Sequence, residues 1–157
     1  MNNLPIPILS LFFVLLISCA PKKKLQKIDY RRTGEVKCIQ YEKDIIKLES
    51  TSRASTMGEA SSFAERNAIE NLLFKGIPKS NAESPLIADE HESLRRNKRF
   101  YDVFIMQKEY EKFIMESSIS SEAGNPGQYR VTQYIELDLK AMRKHLESNK
   151  VIRKFGI

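Results

Sequence analysis

Three alanines, Ala60, Ala64 and Ala68, recur at intervals of four inside a stretch that opens on Thr56-Met57-Gly58-Glu59 and closes on Gly76, with Pro78 just beyond. The opening has capping-box spacing, in which the Thr hydroxyl and the Glu carboxylate satisfy free backbone N–H groups of a first helical turn. The close pairs a glycine suited to leaving a helix with a proline that cannot continue one. The stretch predicts a helix with Ala60, Phe63, Ala64, Ala68, Leu72 and Leu73 on one side and Glu65, Arg66 and Glu70 on the other. Small side chains let a helix backbone come very close to its neighbour, so the row requires a sheet packed directly against it. Asn67 and Asn71, also four apart, are expected to form a polar seam beside the row.

Around that helix the period changes from 3.6 to 2. "EVKCIQY" (35–41) and "DIIKLESTSRAS" (44–55) read as strands joined at Glu42-Lys43, with Val36 and Cys38 on one face of the first and Ile46 and Leu48 on one face of the second. "FIMESSISSE" alternates as Phe113, Met115, Ile119 and "QYRVTQYIELDL" as Tyr129, Val131, Ile135, Leu137, with the turn-forming "AGNPG" between them. "FYDVFIMQKEYEKF" (100–113) fits a helix striped by Phe100, Val103, Phe104 and Gln107. Residues 79–97 form a polar insertion, in which Pro85 marks a loop before a short helix from Leu86. Asp138 is the expected N-cap of a last helix carrying Leu139, Met142 and Leu146, ending near Asn149, with the apolar tail "VIRKFGI" docking behind it.

The expected fold class is α+β: a small antiparallel sheet of two hairpins packed on one long helix, with a helical insertion and a C-terminal helix. One globular domain, residues 35–157, suits a chain of 157 residues with 41% hydrophobic and 29% charged content.

The formal charge of +6 sits almost entirely before that domain. From Lys22 to Lys37 there are seven Lys or Arg against Asp29 and Glu35, which leaves only +1 for residues 38–157. Phosphate binding needs a basic face on the domain itself, so no nucleic-acid partner is expected. Like charges in "APKKKLQKIDYRRTG" repel, and the segment reads as an extended tether spanning at most ~50 Å. Each Lys or Arg near an anionic lipid surface would add ~1 kcal/mol of attraction.

Ahead of the tether, Leu4 to Ser18 is an apolar run of 15 residues that as a helix reaches only about 22 Å, against a hydrocarbon core of ~30 Å. Such a length suits the apolar region of a secretory signal. Leu16-Ile17-Ser18-Cys19 resembles the lipobox of bacterial lipoprotein signal peptides: an aliphatic residue, a tolerated middle residue, a small residue and the cysteine. The resemblance implies that residues 1–18 are a removed signal peptide, that Cys19 is acylated and becomes the first mature residue, and that 19–34 is the lipidated cysteine plus basic tether. Several acyl chains at ~0.8 kcal/mol per buried CH₂ then anchor the protein without a spanning helix. Ala20 stands where the family places Asp for inner-membrane retention, which implies the outer membrane, facing the periplasm. The competing reading is a short signal anchor with its lysines on the cytoplasmic side. Residues 35–149, through the hairpin, the Ala-rich helix and "YRVTQYIELDLKAMRKHLE", are loosely similar to small envelope lipoproteins and flagellar-accessory domains in which a short sheet packs on one long helix.

Chemistry is sparse. With Cys19 lipidated, Cys38 is the single remaining thiol and reads as a small core residue. There is no phosphate loop, nucleophile elbow, HExxH or metal-binding cysteine pair, and no cofactor is expected. The local candidate is Asp89, Glu90, His91 and Glu92, whose consecutive positions cannot all face one ion on a regular element. Two functions follow. The first is a non-enzymatic binding or accessory component of an envelope assembly, anchored by its lipid, with a protein partner received on Arg95, Arg96, Lys98 and Arg99. The alternative is a metal-dependent or acid-base hydrolase using the Asp89–Glu92 cluster.

Overall fold

The computed structural model describes Tyr30, Arg32 and residues 34–123 and 127–154. The expected signal peptide, the acylated Cys19, the tether as far as residue 29, the middle of "AGNPG" and residues 155–157 lie outside the described residues.

The alternating segments form two hairpins, β1 (Glu35–Glu42) with β2 (Ile45–Ala54) and β3 (Ile114–Ala123) with β4 (Tyr129–Asp138). β4 pairs antiparallel with β2, giving one sheet in the order β1-β2-β4-β3 and an α+β fold. Leu48 lies opposite Ile135 and Ile46 opposite Leu137, so their alternation buries the same face of both central strands. The other face is polar, with a Thr51–Thr132 hydroxyl pair at 2.9 Å and a Lys47–Glu136 ion pair at 2.7 Å. One side of the sheet is therefore built for a helix and the other for water.

That helix is α1 (Met57–Phe74), lying across β2 and β4. Ala60, Ala64 and Ala68 are fully buried beneath it, and the Ser50 hydroxyl donates to the Ala64 carbonyl at 2.6 Å. A bulkier row would hold the helix too far away for that bond. The Thr56 side chain caps the first turn by accepting from the Glu59 N–H, while the Glu59 carboxylate takes the Thr56 hydroxyl. At the other end the Lys75 and Gly76 N–H groups share the Asn71 carbonyl, each at 2.9 Å. Gly76 has φ +80°, and a Cβ there would collide with the Glu83 carbonyl, so only glycine fits. The N–H groups of Leu86 and Ile87, just after Pro85, close the carbonyls of Leu72 and Leu73.

The insertion and the segment that follows it, residues 79–113 and together the insertion from here on, depart from expectation. No helix starts at Leu86; α2 runs Glu90–Arg96, because Asp89 supplies the N-cap, accepting from the Glu92 N–H at 2.9 Å. The expected helix over 100–113 is broken into α3 (Lys98–Tyr101), a π-helical turn (Asp102–Met106), a left-handed Lys108 (φ 59°) and a 3₁₀ turn (Glu109–Phe113). In one continuous helix Phe104 and Tyr110 would sit about 120° apart around the axis. The break brings both rings into the core, 6.2 Å between centroids, and leaves Gln107 exposed. Strand β3 also changes phase: a register shift between Ile114 and Glu116 leaves Met115 more than half exposed, and Ile119, on the edge strand beyond α1, is exposed as well. The last helix, α4 (Leu139–Ser148), follows the sequence, capped by Asp138 and burying Leu139, Met142 and Leu146.

The outer side of α1 is the larger correction. Glu65, expected to face water, has a side chain only 12% exposed and accepts from the Tyr110 hydroxyl at 2.9 Å, the Gln133 side-chain amide at 3.1 Å and the Lys108 ammonium at 3.3 Å. Glu70 is buried, as is every α1 residue from Asn67 to Phe74. Asn67 and Asn71 do form a seam, with the Asn71 side-chain amide donating to the Asn67 carbonyl at 2.7 Å. The helix is enclosed because the insertion folds back over the side opposite the sheet.

Ala64→Leu should cost ~1–3 kcal/mol by overpacking, and Glu65→Leu a similar ~1–3 kcal/mol by stranding the buried Tyr110 and Gln133 donors. Denaturant midpoints check both. A Glu65→Leu variant as stable as the parent would return Glu65 to the solvent face.

Candidate functional site

The consecutive acids 89–92 are separated by the helix they start. Asp89 caps α2, Glu90 pairs with Arg32 at 2.8 Å, and Glu92 is held by Arg95 at 2.8 Å and by Arg96. The Arg95 hydrogen bond, followed by that of Arg96, holds the Glu92 carboxyl down at about 2. His91 is exposed, and among the described residues no group of three or more His, Cys, Asp or Glu could hold a metal ion. Of the basic run, Arg95 and Arg96 are engaged by Glu92, whereas Lys98 and Arg99 are exposed and make no ion pair among the described residues. Burial pushes the Cys38 thiol up, away from the reactive thiolate.

The side chains that do converge were not singled out from the sequence. Glu70 accepts from the Arg66 Nε at 2.7 Å on one oxygen, and from the Arg32 Nε at 2.7 Å and the Tyr30 hydroxyl at 3.0 Å on the other. Arg32 also reaches Glu90 and lies over the Phe74 ring at 4.9 Å; Arg66 lies over the Tyr30 ring at 4.1 Å. A buried carboxylate is costly unless its lone pairs are filled, and here both oxygens are occupied by charged or polar donors. Tyr30 and Arg32, read from sequence as the end of the tether, are thus latched onto α1. The (i, i+4) spacing of Arg66 and Glu70 was visible, but such pairs are ordinarily solvent-exposed, and nothing local announced a second arginine from 38 residues away.

Beside this latch lies a cleft of ≈ 260 Å³. It is lined by Glu70 and Phe74 of α1, by Tyr101 and Ile105, and by the exposed Lys98 and Met106, with the Phe74 and Tyr101 rings packed together at 5.7 Å between centroids. The π-helical turn brings Ile105 and Met106 to it, and such single turns are frequent at functional sites. A wider groove of ≈ 880 Å³ runs between loop 80–86 and the C-terminal segment, with Arg143 and Arg153 among its lining. The smaller cleft has the stronger chemistry, because a buried charge cluster and an irregular helical turn meet in it. No family model matches the chain, and no curated protein or solved structure matches it.

Two outcomes follow. Glu70→Gln leaves the two arginines without their shared anion; because both are about a quarter exposed and can rehydrate, the cost should be ~1–3 kcal/mol. Trypsin should then cut after Arg32 in the variant and spare it in the parent; equal protection would mean that Glu70 does not hold the strap. Burial first, then the Glu70 and Glu65 charges respectively, push the phenols of Tyr30 and Tyr110 well up. A phenol raised in the folded state contributes stability present below the unfolded value of ~10, lost as pH rises above it. Phenolate absorbance should show these two tyrosines ionising only with alkaline unfolding; ionisation of either one near 10 in a folded protein, identified as the signal lost in its Tyr→Phe variant, contradicts this.

Proposed function

We propose that the chain is a membrane-anchored envelope lipoprotein acting as a non-enzymatic binding or accessory component of an envelope assembly, at the outer membrane and facing the periplasm. One observation carries the reading: the segment downstream of Cys19 is clamped to the domain by Glu70, eleven residues on, at Tyr30. Eleven steps of chain reach ~40 Å at most. The latch shortens the reach from the ~50 Å of the whole tether and sets the cleft that Arg32 lines beside the segment leading to the lipid.

The state of the acids agrees with binding rather than catalysis. Glu65, Glu70, Glu90 and Glu92 are each tied to a cation, which suits holding a shape. Arg95, Arg96, Lys98 and Arg99 lie on the helical layer beside the cleft, and Lys98 lines it. A protein partner in the envelope is the expected ligand.

Mass spectrometry of protein extracted from membranes should show an acylated Cys19 at the amino terminus and no residues 1–18. Recovery of an intact Met1 terminus on a membrane-embedded chain overturns the lipoprotein reading.

A further inference from the structure

We infer that the cleft beside Glu70 is a socket for one apolar side chain of a partner protein, read together with a carboxylate next to it. The inference rests on the binding reading above and is independent of the lipid anchor.

The size points to a side chain. At ≈ 260 Å³ the cleft falls below the ~300–1,000 Å³ of ordinary small-molecule sites. Its inner walls are the Phe74 and Tyr101 rings and the Ile105 side chain, all buried. Outside them, Leu94 and Met106 are exposed, at 36% and 61%, and continue the apolar surface onto the rim. A buried pocket inside an apolar margin is the form of an interface anchor point, and methionine adapts to what it meets.

The charge follows from counting donors and acceptors. Each Glu70 oxygen is already engaged, one by Arg66 and the other by Arg32 and Tyr30. Arg66, by contrast, has spent only its Nε on a carboxylate; its Nη1 has the Met106 sulfur at 3.5 Å, a weak acceptor. The Lys98 ammonium makes no ion pair among the described residues. Donors therefore outnumber acceptors at the mouth, and an incoming carboxylate satisfies them. The exposed Asp102 carboxylate also lines the cleft and would favour a basic ligand instead, so the test includes one.

The full chain in lipid nanodiscs, labelled at its methyl groups, is titrated with four blocked peptides: acetyl-Gly-Phe-Glu-Gly-amide and its Phe-Gln, Ala-Glu and Phe-Lys counterparts. The Phe-Glu peptide should shift the Met106 and Ile105 methyl signals saturably and leave Met57, exposed on α1, unmoved. Phe-Gln and Phe-Lys should bind about two- to fivefold more weakly, the size expected of an exposed ion pair. Ala-Glu should lose saturation. Lys98→Gln, an exposed substitution outside the buried cluster, should shrink the Phe-Glu advantage over Phe-Gln. Unmoved Met106 and Ile105 signals, equal binding of Phe-Gln, or preference for Phe-Lys would each overturn the inference, and none of them bears on whether Cys19 is acylated.

Discussion

The close contact between α1 and the two central strands is the constraint on which the other features depend. Ala60, Ala64 and Ala68 bring the helix backbone near enough for Ser50 to bond the Ala64 carbonyl at 2.6 Å. Alanine buries little area, so the contact gains less from hydrophobic transfer than from dispersion across a tight interface. The larger apolar contribution comes from the C-terminal half of α1, where Ile69, Leu72 and Leu73 are fully buried. A helix set this low on the sheet leaves room above it for a second layer, and α2, α3 and the π turn occupy that room.

Enclosing α1 on both sides creates the electrostatic problem that shapes the site. Glu65 and Glu70 are carried inward with the helix and must be satisfied there. Glu65 is met from the insertion by Lys108 and Tyr110 and from β4 by Gln133, whose side chain also donates to Ser117 on β3 at 2.9 Å. Glu70 is met by Arg66 and by the strap that precedes β1. Each acid thus joins parts of the chain distant in sequence. Their separate networks explain why the insertion sits where it does: Lys108 adopts a left-handed backbone and reaches Glu65, while Tyr110 delivers its ring to Phe104 and its hydroxyl to the same carboxylate.

The irregular stretch from Lys98 to Phe113 shows how the demands of the core can override local periodicity. A regular helix would have satisfied its own backbone more simply, but it would have spread Tyr101, Phe104, Ile105, Tyr110 and Phe113 over about 240° of its circumference. Packing five large side chains outweighed the cost of a π turn and one left-handed lysine. The by-product is a concave surface, since the widened turn carries Ile105 and Met106 to the cleft, which Leu94 of α2 also lines.

The sequence by itself determined the elements governed by near neighbours. Capping at Thr56 and Asp138, the exit at Gly76, the apolar faces of β2, β4 and α4, and the alanine row all depend on residues within a few positions of each other, and all stand where the pattern puts them. It also carries the Cys19 motif, which no tertiary contact creates. Tertiary structure alone decided the order β1-β2-β4-β3, the burial of Glu65 and Glu70, the bulge that turns Met115 outward and the broken helix over 98–113. A charged residue on a helix looks the same in sequence whether it faces water or a partner, because what permits its burial is a cation arriving from far along the chain. The Glu70 latch joins positions 30, 32, 66 and 70, and only the folded chain brings them within hydrogen-bonding distance.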